Sequence, residues 1–433
     1  MIQLREFSQI TTETGHELTS ELGVVNQATF DWLVDTLCQT GKTEKVLVIE
    51  NQKYIKLGNY VGYLQSPNGE AIEILPKTGL GKDNPEKSRK ILQHMLMTAL
   101  SIKPKEVGQA SLKRFDQPIH EWIFFQFLNE LKVLITKGIR FDYERVEEES
   151  HFLRGQLQVS KQLRRMPGRD HLFDISHDVF TPNRIENRII KSALEAIKDQ
   201  CKEANNWRMA NEFSHLLSPI NAELQPLALF HKWQASKLMQ SYNAIKPWCK
   251  LILEKFNPNF QKGNHRGISL LFPMEQLFEK YVESNLSKQV NIPYKLKAQA
   301  SSRYLTTHQT IELDNASKWF QLKPDLLLTS NHGNQVLDIK WKLINEMAST
   351  VEHKYNINQS DLYQLFAYGH NYQDGRGNMM LIYPKHSEFT QPLHCFSYSK
   401  HLKLWVVPFC LESKLLIKGD WQEYFPGIES VGS

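Results

Sequence analysis

The spacing of apolar positions changes along the chain. In residues 46–77 the segments "KVLVIE", "YIKLGNYVGYLQ" and "AIEILPK" alternate apolar and polar side chains, and "SPNGE" has the composition of a hairpin connection. The sequence there predicts a small β-rich unit. Spacings of three and four follow in "PEKSRKILQHMLMTAL", with Pro85 in a first-turn position, and in "QPIHEWIFFQFLNELKVLITKGI". Helical spacing returns in "ENRIIKSALEAIKDQ" and "SKLMQSYNAIKPWCKLILEKF", until "NPNFQKGNHRG" interrupts it as a linker or exposed loop. Beyond that point the order becomes helix ("PMEQLFEKYVESNL"), strand ("YKLKAQAS"), a strand pair within 320–341, helix ("SDLYQLFAYGHNY") and strand ("MMLIYP"). That succession predicts a compact α/β domain.

With 433 residues the chain should form two or three domains. Its 41% hydrophobic and 23% charged residues match a soluble globular protein. No segment reaches the roughly 18 apolar residues of a membrane span, and "MIQLREFSQITTETG" lacks the order of a signal peptide, so a cytoplasmic protein with no membrane partner is expected. The five cysteines, Cys38, Cys201, Cys249, Cys395 and Cys410, are too scattered to suggest zinc or a disulfide framework.

A net charge of +5 is mild, but its distribution is uneven. Residues 154–169, "RGQLQVSKQLRRMPGR", hold Arg154, Lys161, Arg164, Arg165 and Arg169 without an acid. They form either a solvated face or a phosphate-contacting patch, with Lys161, Arg164 and Arg165 as the DNA-binding candidates.

The densest chemistry lies in "LKPDLLLTSNHGNQVLDIKWK", residues 322–342. Alternation places Asp338 and Lys340 on one strand face and Leu337, Ile339 and Trp341 on the other. If the turn folds the strands together, Asp325 joins them, and two carboxylates converge beside one ammonium. Two hard oxygen ligands suit Mg²⁺, which retains waters and binds substrate phosphate, while the lysine orients or deprotonates the attacking water. A surface hairpin with solvated charges is the bland alternative. Upstream, Glu275, Glu279 and Glu283 form one helical stripe, of which Glu279 is best placed to lean on the sheet; downstream, Gln364 and Tyr368 share a helix face.

Glu279, Pro324-Asp325, Asp338-Ile339-Lys340 and Gln364-x-x-x-Tyr368 together resemble the PD-(D/E)XK nuclease superfamily. More narrowly, "GNYVGYLQSPNGEAIEILPK", "RGQLQVSKQLRR", "NRIIKSAL", "LFEKYV", "LKPDLLL", "VLDIKWK" and "DLYQLFAYGH" resemble the McrC family, nuclease subunits of McrBC-type modification-dependent restriction systems. The resemblance implies that Asp325 and Asp338 bind the metal, Glu279 supports it, Lys340 serves the water and Gln364 steadies the site or the DNA. Lys342, on the same strand face, could share the work of Lys340. It also implies a Mg²⁺-dependent endonuclease that cuts double-stranded DNA in antiviral defence against 5-methylcytosine-bearing sequences.

No phosphate-cradling G-x-x-x-x-G-K-[ST] loop occurs; "PKTGLGKDN" has Pro76 and Asp83 at the positions that should be glycine and hydroxyl. GTP would therefore be bound by a separate McrB-like AAA+ GTPase ring, which the resemblance implies is engaged and stimulated by the N-terminal region, with Tyr63 to Ala71 as an exposed hairpin. The expected organisation is α/β (α+β overall): a β-rich docking domain over 1–150, a basic segment and helical connector over 151–260, and a restriction-endonuclease-like core over 261–433. Two other readings remain: a non-catalytic nuclease-like adaptor that clamps DNA and activates a nucleotide-driven ring, and a nuclease of general DNA repair.

Overall fold

The structure is a computed structural model that describes residues 1–13, 19–37, 46–51, 53–78, 84–101, 117–166, 168–169, 171–234, 236–255, 267–309, 316–331 and 333–432. The linker-like "NPNFQKGNHRG" lies almost wholly outside the described residues, as do Cys38 and most of "TGLGKD". The chain divides into two compact units, Met1–Asp116 with Leu271–Ser433, and Gln117–Leu270. This division differs from the boundaries expected from sequence, because the first strands and the last domain share one unit.

The first unit begins with β1 (Ile2–Arg5), β2 (Gln9–Thr11), β3 (Leu22–Val24), α1 (Gln27–Leu37), β4 (Leu47–Asn51), β5 (Tyr54–Leu57), β6 (Tyr60–Gln65) and β7 (Ala71–Leu75). One sheet orders β3-β2-β5-β4, and β1 runs parallel to β7, which pairs antiparallel with β6. Leu4, Ile10, Leu33, Ile55, Leu64, Ile72 and Ile74 close this core. The Tyr63 to Ala71 hairpin is not free as expected. Tyr63, Leu64 and Ser66 are buried, and Thr29 bonds both Ser66 and Asn68, leaving only the turn tip at the surface. Helix α2 (Pro85–Ala99) starts where Pro85 presets the backbone and the Asn84 side chain accepts from Glu86 N at 2.9 Å.

The second unit contains α3 (Ile119–Lys137), β8 (Asp142–Ser150), β9 (Gln156–Leu157), α4 (Val159–Gln162), β10 (Phe173–Thr181), α5 (Ile185–Lys198), α6 (Ala204–Leu216) and α7 (Lys246–Lys255). Helices α3, α5, α6 and α7 bury Trp122, Phe127, Ile190, Phe213 and Trp248. Glu121 on α3 anchors the start of α6, since its carboxylate accepts from Lys202 N, Glu203 N and Asn206 Nδ2. The sheet order β8-β10-β9 leaves β8 largely exposed.

The chain re-enters the first unit along β11 (Ile268–Pro273) and continues through α8 (Met274–Leu286), β12 (Lys295–Ala298), β13 (Arg303–His308), β14 (Ser317–Leu322), β15 (Leu326–Ser330), β16 (Gly333–Ile339), α9 (Gln359–Gln373), β17 (Gly377–Pro384), β18 (Phe396–Ser397), β19 (Leu402–Cys410), β20 (Leu415–Ile417) and β21 (Ser430–Val431). The sheet runs β12-β15-β16-β17-β19-β20-β21. Its centre, β16-β17-β19, is parallel and buried on both faces, which explains the near-continuous apolar run Met379–Tyr383. Helix α9 joins β16 to β17 and lies tightly on the sheet, since a side chain at Gly369 would meet Met379 Sδ at 2.8 Å. Among the described residues no helix is long and apolar enough to cross a membrane.

Candidate active site

Strand register brings the carboxylates together. Because Leu326 pairs with Leu337, Asp325 stands one step beyond the end of β15, beside Asp338 on β16. The Ile339 amide donates to Asp325 Oδ2 at 2.7 Å, and Lys340 N donates to Ile382 O at 2.9 Å, so backbone bonds fix both ends of the Asp338–Lys340 segment. Lys340 Nζ lies 2.7 Å from Asp338 Oδ2. The expected trio is thus assembled.

Asp338 is completely buried, yet neither of its carboxylate oxygens accepts a well-formed hydrogen bond. Burial raises its pKa against the pull of Lys340. Burial also pushes Asp325 up to about 8, with the charge of Asp338 adding to the effect. Burial would lower Lys340, but Asp338 and Asp325 outweigh it and raise the pKa, so the side chain is an ammonium ion.

Helix α8 packs on the sheet through Phe278, which meets Trp341 edge-on at 5.1 Å. That packing leaves the neighbouring Glu279 half-buried, facing Gln299, whose Nε2 donates to Glu279 Oε1 at 3.0 Å. Gln299 N also donates to Asp325 O at 2.8 Å, tying two of the expected acidic residues together. Of the other two members of the stripe, Glu275 is exposed and Glu283 has its pKa raised by burial and by Glu279. Gln364, on α9, donates to Tyr368 Oη at 2.7 Å, and Tyr368 donates to Lys323 O at 3.0 Å, next to Pro324-Asp325. Gln364 therefore braces the loop that carries Asp325.

Lys342 turns elsewhere: its Nζ donates to Asn358 Oδ1 at 2.8 Å, and burial lowers its pKa. Two further residues belong to the site. Asp361 acts electrostatically on Asp338 and Lys340 and accepts from Tyr383 Oη at 3.4 Å, while Gln299 is the bridge described above. Neither was singled out in the sequence, although Asp361 lies only three residues before Gln364.

Behind the strand that carries Asp338, Trp341 Nε1 donates to Glu6 Oε1 at 2.7 Å, which also accepts from Lys77 N at 2.8 Å. Glu6 is fully buried, and burial raises its pKa to about 7.

The donor set fits Mg²⁺: two adjacent hard carboxylates that share a single lysine are what a divalent cation would satisfy. Among the described residues no group of three His, Cys, Asp or Glu side chains is placed to hold a metal ion, so Glu279 does not close a three-acid set with Asp325 and Asp338. A groove of about 600 Å³ lined by Lys280, Lys288 and Lys414 lies apart from these carboxylates.

Lys161, Arg164 and Arg165 belong to the second unit. Lys161 Nζ pairs with Glu147 at 2.5 Å, and Arg165 pairs with Asp174 at 3.0 Å and Glu149 at 3.3 Å. The acids missing from the local sequence are supplied by β8 and β10. Arg164 is exposed.

A family model described as McrBC 5-methylcytosine restriction system component matches residues 55–384. The chain belongs to this family. No curated protein matches the sequence. Among solved structures, a chain of the "Refined half-complex from tetradecameric assembly of Thermococcus gammatolerans McrB AAA+ hexamers with bound McrC" is similar at TM-score 0.67 and 18% identity, over 94% of both chains. A chain of the "Cryo-EM structure of the Thermococcus gammatolerans McrBC complex" is similar at TM-score 0.49 and 21% identity, over 65% of this chain and 86% of that one. The first of these likenesses extends this McrBC-family fold over nearly the whole chain.

Proposed function

We propose that this McrBC-family chain is the DNA-cleaving, McrC-type subunit of its restriction complex, a Mg²⁺-dependent endonuclease directed at 5-methylcytosine-bearing duplexes. The observation that carries the reading is the convergence of half-buried Asp325 and fully buried Asp338 on Lys340, where antiparallel β15 meets the parallel strands of the sheet. Two carboxylates that repel one another cost folding energy, and a cation that also binds phosphate turns that cost to use.

Asp325 and Asp338 would hold Mg²⁺, with Glu279 supporting it from α8. When bound, the ion supplies Lewis-acid polarisation of the phosphoryl group and a more acidic water. Lys340 would orient the attacking water and offset charge that grows on the phosphate. Gln364 and Tyr368 hold the Lys323-Pro324-Asp325 turn in place.

Because no nucleotide-binding loop was found in the sequence, cleavage would be coupled to a nucleotide-hydrolysing partner of the kind named in the solved assembly, an McrB AAA+ hexamer. The test measures DNA nicking and phosphate release in parallel, with partner, GTP and Mg²⁺. Lys340→Ala should stop nicking while stimulated GTP hydrolysis persists. Normal nicking by this variant would refute the assignment.

A further inference from the structure

Between β12 and β15 the chain leaves the sheet to form a two-stranded ribbon, β13 and β14, which pairs only with itself. Its base is clamped to α9. The Tyr372 hydroxyl lies 2.9 Å from both Ala300 O and Leu322 O, and Tyr368 holds Lys323 O. Three residues beyond the ribbon's last member, Leu322, comes Asp325. Any molecule lying along the ribbon would therefore be delivered to the carboxylates.

The ribbon has little core of its own. Arg303, Leu305, Thr306, Thr307, His308, Lys318, Trp319, Phe320 and Gln321 are all exposed. The two strands, "RYLTTH" and "SKWFQL", contain cations and aromatics but no acid, and Lys323 follows directly. Glu312 and Asp314, between the strands, lie outside the described residues. Lys318 Nζ sits 5.8 Å from the Tyr304 ring centroid, and the Trp319 and His308 rings meet at 4.7 Å.

Phe320 is the unusual residue. Pairing passes from Tyr304–Gln321 to Thr306–Trp319 without a change of register, so Leu305 and Phe320 stand opposite each other where the ladder is interrupted. The backbone of Phe320 is left-handed, with φ +57°, and its ring is 68% exposed. A bulky residue held in that conformation while its apolar ring faces water costs stability twice over. Among the described residues the ring meets Trp319 edge-on at 6.3 Å and is otherwise open to water.

We propose that the β13–β14 ribbon is a duplex-DNA grip beside the cutting site, in which Arg303, Lys318 and Lys323 meet the phosphate backbone and Phe320 presses its ring against the bases. A two-stranded ribbon fits the major groove, and apolar side chains at protein–DNA interfaces wedge against or stack on bases. Charge complementarity selects DNA as the occupant over an acidic-patch-seeking or purely apolar protein partner. The inference rests on the nuclease reading of the neighbouring carboxylates.

The experiment uses the full-length chain and a fluorescein-labelled duplex, with binding followed by anisotropy across a salt series and Mg²⁺-dependent nicking measured alongside. Replacing Arg303 and Lys318 by Ala should reduce the salt slope by about 0.9 for each phosphate that is no longer neutralised. Phe320→Ala should weaken binding by about tenfold while leaving that slope unchanged. Phe320→Gly should raise the thermal midpoint, since glycine accepts the left-handed backbone, and weaken DNA binding as Phe320→Ala does. That opposition separates a grip from a folding role. Unchanged affinity and slope in all variants, or loss confined to binding of a protein partner, would overturn the proposal. A parent protein that binds through the ribbon but never nicks would refute the nuclease reading and leave the grip standing.

Discussion

Glu73 and Asp338 are both completely buried carboxylates on strands of the same unit, and their surroundings differ in one decisive respect. Glu73 is met by Arg89, whose Nε lies 3.0 Å from both oxygens and whose Nη2 lies 2.7 Å from Oε2. Asp338 has one lysine at 2.7 Å, no well-formed hydrogen bond, and a second carboxylate beside it. A carboxylate that serves only the fold is surrounded by its own donors, because an unmatched buried charge is expensive. Asp338 instead shares its one lysine with a second carboxylate, which is the arrangement that a bound cation would complete.

The contrast is sharpest when each acid is neutralised by its amide. Asp338→Asn should reduce Mg²⁺-dependent nicking on the order of a thousandfold, because transition-state stabilisation worth several kcal/mol is removed. Its thermal midpoint in chelator should nonetheless equal or exceed that of the parent. A lower midpoint would mean that Asp338 belongs with Glu73. Glu73→Gln should do the opposite, losing about 3–5 kcal/mol in chemical denaturation by stranding Arg89. A silent Glu73→Gln would dissolve the comparison from the other side.

Glu6 falls between the two. Its pKa is raised from 4.5 to about 7 by burial, with Lys77 and Trp341 opposing and Glu275 adding. A raised acid favours the folded state below its unfolded pKa, and that contribution is lost as pH rises through the folded value. The parent's thermal midpoint should therefore fall between about pH 5 and 7 more steeply than that of Glu6→Gln, whose side chain stays neutral. Parallel melting curves would place the fall elsewhere. The smallest effect is expected at Tyr368, where Phe removes the bond to Lys323 O at a cost of about 1 kcal/mol. Nicking by Tyr368→Phe should drop by less than in Asp338→Asn, and an equal drop would make Tyr368 a direct participant.

What the sequence revealed follows from distance along the chain. Asp338 and Lys340 lie two residues apart on one strand, so alternation alone set their common face, and a short turn brought in Asp325. Gln299 and Asp361 come from other elements, and no local pattern announces which loop or helix end will meet a strand. The partners of the basic segment were hidden for the same reason. Residues 154–169 contain no acid, but Glu147, Glu149 and Asp174 reach Lys161 and Arg165 through sheet pairing. Expected boundaries at 150 and 260 assumed that neighbours in sequence share a domain, whereas the early β-rich segment folds with the final one.

The bond between Glu6 and Trp341 spans 335 residues and carries a consequence for how the protein is made. Synthesis delivers Glu6 335 residues ahead of the indole that it binds. Until then the Glu6 carboxyl has no indole to bind. A change at Glu6 is for this reason also a lesion one residue from Lys340.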